Sequence, residues 1–329
     1  MPRIAVDAMG GDHAPREVVL GAVDAAEAGH DIVLVGDRSR IELVLGETGA
    51  DVAIADASEV IEMGADAASA IRERKDASIS VAARLVSSGE AAALVSAGST
   101  GAAMAAASFL IGRIDGVSRP AIASMFPGGK IVLDSGANLS CRPEHLVQFA
   151  VMGAALAATK LGIDRPRVGL LNIGEEAGKG RDLEREAYPL LAEVPSIEFV
   201  GNVEGRDVGS DRVDVIVSDG FTGNVLLKTA EGAAKLLLGL VVETLSGPEL
   251  ADKMAAIVPA LGDVRHRLDP ESYGGAHLLG TMGVVVIAHG SSSRRAVANA
   301  IGMASDEAAH GLVERITRDI GAVHSLAGA

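Results

Sequence analysis

Ile4-Ala5-Val6-Asp7-Ala8-Met9-Gly10-Gly11-Asp12-His13-Ala14-Pro15 sets the pattern of the whole chain. Ile4 to Ala8 is a short apolar run of strand type, and Gly10 and Gly11 permit a tight turn. Asp12 stands where a helix cap is expected, and Pro15 suits the first turn of that helix. Val18, Ala22, Val23 and Ala26 follow at helical spacing and give it a buried face. Ile32 to Gly36 is a second strand, Ile41 to Leu45 a short helix, and Val52 to Ala55 a third strand. Strands alternating with helices predict an α/β fold, with a mostly parallel sheet between two helical layers.

The pattern continues outward. A helical region from Ala65 to Ser88 breaks near Asp76, and Ala91 to Val95 is a strand. Ser96-Ala97-Gly98-Ser99-Thr100-Gly101 then turns into an Ala-rich helix, where Ser99 and Thr100 suit capping. Ala121 to Met125 and Lys130 to Leu133 flank Phe126-Pro127-Gly128-Gly129, a hairpin signal. Asp134-Ser135-Gly136-Ala137-Asn138 is another polar glycine turn, and Pro143 opens a helix to about Leu161. Val168 to Leu171 leads into Asn172-Ile173-Gly174-Glu175-Glu176-Ala177-Gly178-Lys179-Gly180-Arg181-Asp182, followed by helical spacing over Leu183 to Leu191. Strands at Ile197 to Val200 and Val213 to Val217 end in Gly201 to Gly205 and in Ser218 to Asn224, and a long helix runs past Leu240. Gly274 to Gly280 leads into the strand Val284 to Ala288, and His289-Gly290-Ser291 opens helices at Ser293 to Met303 and Asp306 to Ile320. At least five strand ends thus carry a turn of Gly with Asp, Asn, Ser or His. Ligands of open α/β sheets bind beyond the carboxyl ends of the strands, so these turns are expected to line one cleft.

Composition narrows the function. The 329 residues suffice for one large or two medium domains, and 48 % hydrophobic residues exclude wholesale disorder. A net charge of −15 and a total of seven Phe and Tyr oppose general nucleic-acid binding and base stacking. One cysteine, Cys141, allows no intrachain disulfide and fits a reducing compartment. The N-terminus enters a strand at once, and the longest apolar stretches, such as Ala102 to Ile111, are short of a bilayer span, so a cytoplasmic protein is expected.

The motifs exclude several chemistries. No G-x-S-x-G marks a serine nucleophile, and Ser291 beside His289 reads as a helix cap. No cysteine pair or H-E-x-x-H marks zinc, and the first turn lacks G-x-G-x-x-G. The Lys179 turn is not a P-loop: three residues separate Gly174 from Gly178, and Gly180 stands where Ser or Thr would hold magnesium. Backbone N–H groups at a glycine turn, with Lys179 adding charge, still make an anion site. Phosphate attack on an acyl thioester fits such a site. The dianion is itself a nucleophile, the thiolate leaves readily, and the protein must position phosphate and stabilise an oxyanion. Lys179, Asn224 and backbone N–H groups are the right types for that work.

Together the motifs resemble one family over essentially the whole chain. They are Asp7 to Asp12, Ser96 to Ala102, Asp134 to Asn138, Asn172 to Gly180, Gly201 to Gly205, Asp219 to Lys228, Gly274 to Gly280 and His289 to Ser291. The family is the bacterial acyl-acyl carrier protein:phosphate acyltransferases, PlsX. The resemblance implies transfer of a long acyl chain from acyl carrier protein to inorganic phosphate, supplying glycerol-3-phosphate acylation in phospholipid synthesis. It implies a homodimer with a two-lobed α/β/α fold akin to phosphotransacetylase and the isocitrate/isopropylmalate dehydrogenases. Residues 1–139 and 271–329 are expected in the first lobe, 140–270 in the second. No cofactor or metal is implied. The family's important lysine and asparagine map onto Lys179 and Asn224. Substrate and phosphate contacts are expected from Asp7, Gly10, Gly11, Ser99, Thr100, Gly101, Asp134, Asn138, Asn172, Gly174, Glu175 and His289. Ser99 stands where the family pattern carries Asn, a longer hydrogen-bonding group. Lys253, Arg265 and Arg267 are the expected docking charges for the acidic carrier. Ala255 to Leu261 is the candidate for peripheral contact at the inner membrane face, where a membrane-bound glycerol-3-phosphate acyltransferase would take the product. The alternatives are an acyl-coenzyme A-dependent phosphate acyltransferase, an NAD-dependent dehydrogenase of related fold, and a non-catalytic carrier-binding protein.

Overall fold

The computed structural model describes residues 1–126, 129–245, 257–259, 261, 262, 264, 268 and 270–327. Pro127, Gly128, Lys253, Arg265 and Arg267 lie outside them, and with them the expected hairpin turn and carrier-docking charges, as do Ala255, Ala256 and Ala260 of the expected membrane segment Ala255 to Leu261. The chain runs β1 (Arg3–Asp7), α1 (Arg16–Glu27), β2 (Asp31–Gly36), α2 (Arg38–Thr48), β3 (Ala53–Asp56), α3 (Ala67–Glu73), α4 (Ser78–Ser87), β4 (Ala93–Ser96) and α5 (Thr100–Ala106), which ends in a π-helical turn. It continues through β5 (Ala121–Phe126), β6 (Lys130–Leu133), α6 (Pro143–Leu161), β7 (Arg167–Leu171), α7 (Asp182–Ala192), β8 (Glu198–Val203), β9 (Val215–Val217) and α8 (Gly220–Leu245). It closes with β10 (Ala276–Leu279), β11 (Val284–Ile287), α9 (Arg294–Ala309) and α10 (Leu312–Ala327).

All eleven strands join one sheet in the order β3-β2-β1-β4-β11-β10-β5-β6-β9-β7-β8. β3, β2, β1, β4 and β11 pair in parallel, as do β6, β9, β7 and β8. Between these blocks, β11–β10, β10–β5 and β5–β6 are antiparallel. Three reversals make the two parallel blocks run in opposite directions. One ladder row crosses the whole sheet: Ile54, Leu34, Val6, Val95, Val286, His277, Ala123, Leu133, Val217, Leu170 and Asn202. Asp7 follows this row in one direction and Asp134 in the other. Five strand spacings separate them along the sheet, about 24 Å.

Strand alternation assigns the layers. Ile4 and Val6 face α1, α2 and α9 in one core, while Ala5 faces α3, α4 and α5 in another. Ile131, Leu133, Val215 and Val217 face α6, α7 and α10, whereas Val132 and Ile216 meet Leu226, Leu227 and Ala230 of α8. The result is a three-layer α/β/α sandwich. α6 carries no polar side chain from Phe149 to Ala158 and lies buried from His145 to Ala157. Leu146, Phe149, Met152 and Leu156 are fully enclosed there, each contributing about 1.5–3 kcal/mol of apolar burial.

Four local expectations are corrected. Asp12 does not cap α1; its N–H donates to Gly290 O at 2.8 Å, and Pro15 takes the N-cap position without a side-chain cap. β10 lies where only a glycine-rich lead-in was expected, because His277 interrupts its apolar signal. That imidazole is fully buried, with Nδ1 2.6 Å from Glu307 Oε1 of α9. The last two helices part at His310 and Gly311, where Gly311 takes φ +68°, rather than before Asp306. Ser291 does not cap α9; Ser293 does, accepting from Ala296 N–H.

Candidate active site

The strand-end turns form two groups along the sheet. The first group follows β1, β4 and β11, and the second follows β6, β7, β8 and β9. Among the described residues no hydrogen bond or ion pair joins the groups.

In the second group Asp134 directly follows β6 and is completely buried. Its carboxylate accepts from the N–H groups of Ile122 (3.1 Å), Gly136 (3.1 Å), Ala137 (2.9 Å) and Asn138 (2.7 Å). Asn138 Nδ2 donates to it as well at 2.8 Å, and to Pro120 O at 2.9 Å. Burial raises the Asp134 pKa above the ordinary carboxylate value, although these donors work against the rise. Asp134 and Asn138 therefore hold the turn's shape, and both side chains are occupied in doing so.

The Lys179 turn, between β7 and α7, is fastened at every side. Asn172 Nδ2 donates to Lys179 O at 3.0 Å, and the buried Asn202 at the end of β8 donates to Glu176 O at 2.7 Å. Glu175 Oε1 accepts from Arg212 at 2.9 Å, with Arg206 at 3.6 Å. Arg181 closes the turn. Its N–H donates to Glu184 Oε2 at 2.8 Å, and its guanidinium binds both Glu184 oxygens and Asp219. Asp219 is the buried N-cap of α8, accepting from Thr222 N–H and Thr222 Oγ1, each at 2.9 Å. Burial pushes the Asp219 pKa up, but the Thr222 and Arg181 hydrogen bonds outweigh it and hold it below the ordinary value. β7 neighbours β9 in the sheet, so this ion pair joins the Lys179 turn to the helix that carries Asn224.

Lys179 and Asn224 differ from the fastened side chains just described. Both are exposed, and among the described residues neither side chain has a hydrogen-bond or ion-pair partner. Asn224 lies over the β6 turn: a Cβ added to Gly136 would stand 3.9 Å from its Oδ1. The sequence points to Lys179 and Asn224. It does not point to Arg181 with Asp219 or to Asn202, whose partners lie far along the chain; a capping pattern of Asp219 with Thr222 is the one local signal.

The first group carries no Lys or Arg in Asp7 to Asp12, Ser96 to Gly101 or Ala288 to Ser291. Asp7 is buried and accepts from Ser96 Oγ at 2.7 Å and Met9 N–H at 3.3 Å. Burial raises its pKa, against hydrogen bonds from Ser78, Ser96 and the turn. The Gly10 and Gly98 backbones touch: a Cβ on Gly10 would meet Gly98 N and Asp7 Oδ2, both at 2.7 Å. Ser99 caps α5 by accepting from Ala102 N–H at 3.4 Å; Thr100 and Gly101 are the first residues of that helix. His289 Nδ1 faces Ser291 Oγ at 2.8 Å, so these neighbours on a turn do meet. Cys141 sits half-buried beneath the second group, its thiol pushed up to about 11 by burial and by the Asp134 and Asp219 carboxylates.

Comparison with known proteins finds relatives in sequence and in fold. The sequence profile of the family described as fatty acid synthesis protein matches residues 2–315. The chain is 49 % identical over 328 residues to a phosphate acyltransferase of Desulfitobacterium hafniense strain Y51, covering 97 % of this chain and 98 % of that one. It is 47 % identical over 326 residues to a phosphate acyltransferase of Thermus thermophilus, covering 98 % and 99 %. Among solved structures, a phosphotransacetylase from Streptococcus pyogenes superimposes with a TM-score of 0.61 at 18 % identity, covering 94 % of each chain. A putative 4-hydroxythreonine-4-phosphate dehydrogenase from Salmonella typhimurium gives 0.53 at 14 %, covering 93 % of this chain and 99 % of that one. These two share the fold.

Proposed function

This chain belongs to the fatty acid synthesis protein family, alongside those phosphate acyltransferases, and from that premise we propose that it transfers a fatty acyl group from acyl carrier protein to inorganic phosphate for phospholipid synthesis. A phosphate oxygen attacks the thioester carbonyl, the carbon–oxygen bond forms, the carbon–sulfur bond breaks, and the carrier thiolate leaves. The supporting observation is that Lys179 and Asn224, among the described residues, keep polar ends without a partner beside side chains fastened to one another. Lys179 supplies a cation for phosphate or for the developing oxyanion, and Asn224 orients a substrate. The Gly174 turn offers backbone N–H groups beside Lys179, whereas those of the Gly136 turn are taken up by the Asp134 carboxylate. A raised thiol pKa leaves Cys141 protonated at neutral pH, which favours direct attack over a cysteine-bound acyl intermediate.

The deciding assay is phosphate-dependent consumption of palmitoyl-acyl carrier protein with detection of acyl phosphate. Turnover with palmitoyl-coenzyme A in place of the carrier thioester, or an absorbance change with NAD, would point to the other enzyme classes. Carrier binding without acyl phosphate would point to a binding protein.

The partners follow the same reading. A second copy is proposed to cover the outer part of α8, where Leu236, Leu237, Leu240, Val241 and Val242 are each at least 43 % exposed. A helix apolar on all sides is stable when buried, and a two-fold axis would bury it against itself. Among the described residues no helix is long and apolar enough to cross a membrane. The proposed location is cytoplasmic, with product passing to a membrane-bound glycerol-3-phosphate acyltransferase. Lys253, Arg265 and Arg267 remain the proposed carrier-docking charges.

A further inference from the structure

We propose that Arg181 is a positioning residue for phosphate: it neutralises Asp219 and Glu184 beside the anion site and ties the Lys179 turn to the helix start that carries Asn224. The proposal rests on the reading that this site takes phosphate, and it deepens that reading.

Asp219 and Glu184 are both buried, at 2 % and 6 % exposure, and both meet the guanidinium of Arg181, two residues from Lys179. Asp219 sits five residues before Asn224, and Glu184 five residues after Lys179. A phosphate dianion approaching Lys179 would meet two carboxylates in a poorly hydrated wall, where like charges repel strongly. Arg181 stands between them and binds both. Its planar fork serves two carboxylates at once, which the single ammonium of a lysine does not reproduce. The guanidinium itself is more than half exposed, so its charge also contributes to the potential at the mouth of the site.

The ion pair is a mechanical link as well. Lys179 follows β7 and Asn224 lies at the start of α8 after β9; the β7–β9 ladder aligns the two strands and ends before either residue. Arg181 is two residues from Lys179, and Asp219 caps the helix of Asn224 through Thr222. The bridge therefore fixes the relative placement of the two free side chains.

Arg181→Gln, Asp219→Asn, the double variant and Arg181→Lys separate the electrostatic role from a merely structural one. Wild type is first shown to form acyl phosphate, and KM for phosphate and kcat are then measured for each variant. Arg181→Gln should raise KM for phosphate about tenfold or more, because two uncompensated carboxylates face the anion. Adding Asp219→Asn should lower that KM again by about threefold or more, since one bare charge is removed. Arg181→Lys should fall between wild type and Arg181→Gln. Asp219→Asn alone removes one buried charge while weakening the tie, so its KM for phosphate should stay below that of Arg181→Gln. If Arg181→Gln does not fold, Arg181→Lys decides, because a KM for phosphate equal to that of wild type would overturn the proposal. A double variant no better than Arg181→Gln would equally reduce the bridge to a structural tie. Should wild type form no acyl phosphate, the enzymatic reading fails by itself; calorimetric titration of the same proteins with inorganic phosphate then tests Arg181, and equal phosphate affinity across the set would refute it.

Discussion

The two groups of strand-end turns share one construction and differ in what they leave free. Each begins with an aspartate directly after a strand, Asp7 after β1 and Asp134 after β6, and each carboxylate is buried under its own turn. Each turn is packed so tightly that a glycine lies against neighbouring polar atoms: Gly10 against Asp7 and Gly98, Gly223 against Asp134 O. In the first group the construction ends there, with hydroxyls and glycine backbones and no lysine or arginine. In the second it supports Lys179, Arg181 and Asn224, and two of these three keep polar ends without a partner among the described residues. A repeated turn is thus a folding device, and the charges placed on one copy make the candidate site. If so, damage to the second group should be read in rate, and damage to the first in stability.

The largest effect is expected from Lys179→Ala. With its cation gone, kcat for phosphate-dependent acyl transfer should fall about a hundredfold or more, which is about 2.7 kcal/mol on the barrier. The melting temperature should stay near that of wild type, because the ammonium has no partner to lose. Near-normal turnover would remove Lys179 from the site and erase the contrast between the groups.

Gly10→Ala tests the other side. The added methyl would stand 2.7 Å from the Gly98 backbone nitrogen and 3.0 Å from its Cα, and neither can move without shifting the β4 turn. Such overpacking typically costs about 1–3 kcal/mol. Urea unfolding should show that loss, while kcat of the folded fraction stays within about threefold of wild type. A hundredfold loss of kcat at unchanged stability would place the first group in the catalytic site after all.

Parts of this contrast were legible in the sequence and parts were not, for physical reasons. α6 was readable at both ends, because Pro143 occupies its first position and Gly162 closes it in the left-handed region at φ +68°. Asp7, Asp134, Lys179 and Asn224 stand in motifs of local spacing and were singled out. The opposed directions of the two blocks were not readable. They depend on the antiparallel seam through β10, and His277 hides that strand by putting a buried imidazole where an apolar residue would signal it. Arg181 was quoted within its turn but left without a role. Its partner Asp219 is 38 residues away, and no period or local motif reports a contact at that distance.

A smaller effect is expected from pH. Burial holds the Asp7 carboxyl above its ordinary value of 3.8, so the native state retains this proton more strongly than the unfolded chain does. Its contribution to stability is complete below 3.8 and is lost as pH rises through the raised native value. Asp7→Asn cannot titrate there. From about pH 4 to pH 7 the wild type should therefore lose stability relative to Asp7→Asn, as measured by urea unfolding at several pH values. A wild type that gains on the variant as pH rises would mean that Asp7 is stabilised as the anion, a property of a charged site and not of a buried support.

The smallest effect sharpens the comparison at one hydroxyl. Ser99 was expected to contact substrate, and in the structure its Oγ caps α5 through Ala102 N–H. If capping is its whole task, Ser99→Ala should cost about 1 kcal/mol of stability and change KM for phosphate less than about twofold. Ser99→Asn keeps an oxygen able to accept the same N–H and should unfold like wild type. The pair of substitutions separates the two tasks, because alanine removes both and asparagine preserves the cap while extending the side chain. A rise in KM of about tenfold for Ser99→Ala, with stability unchanged, would show that the β4 turn reaches the substrate and that the division between supporting and reacting turns runs elsewhere.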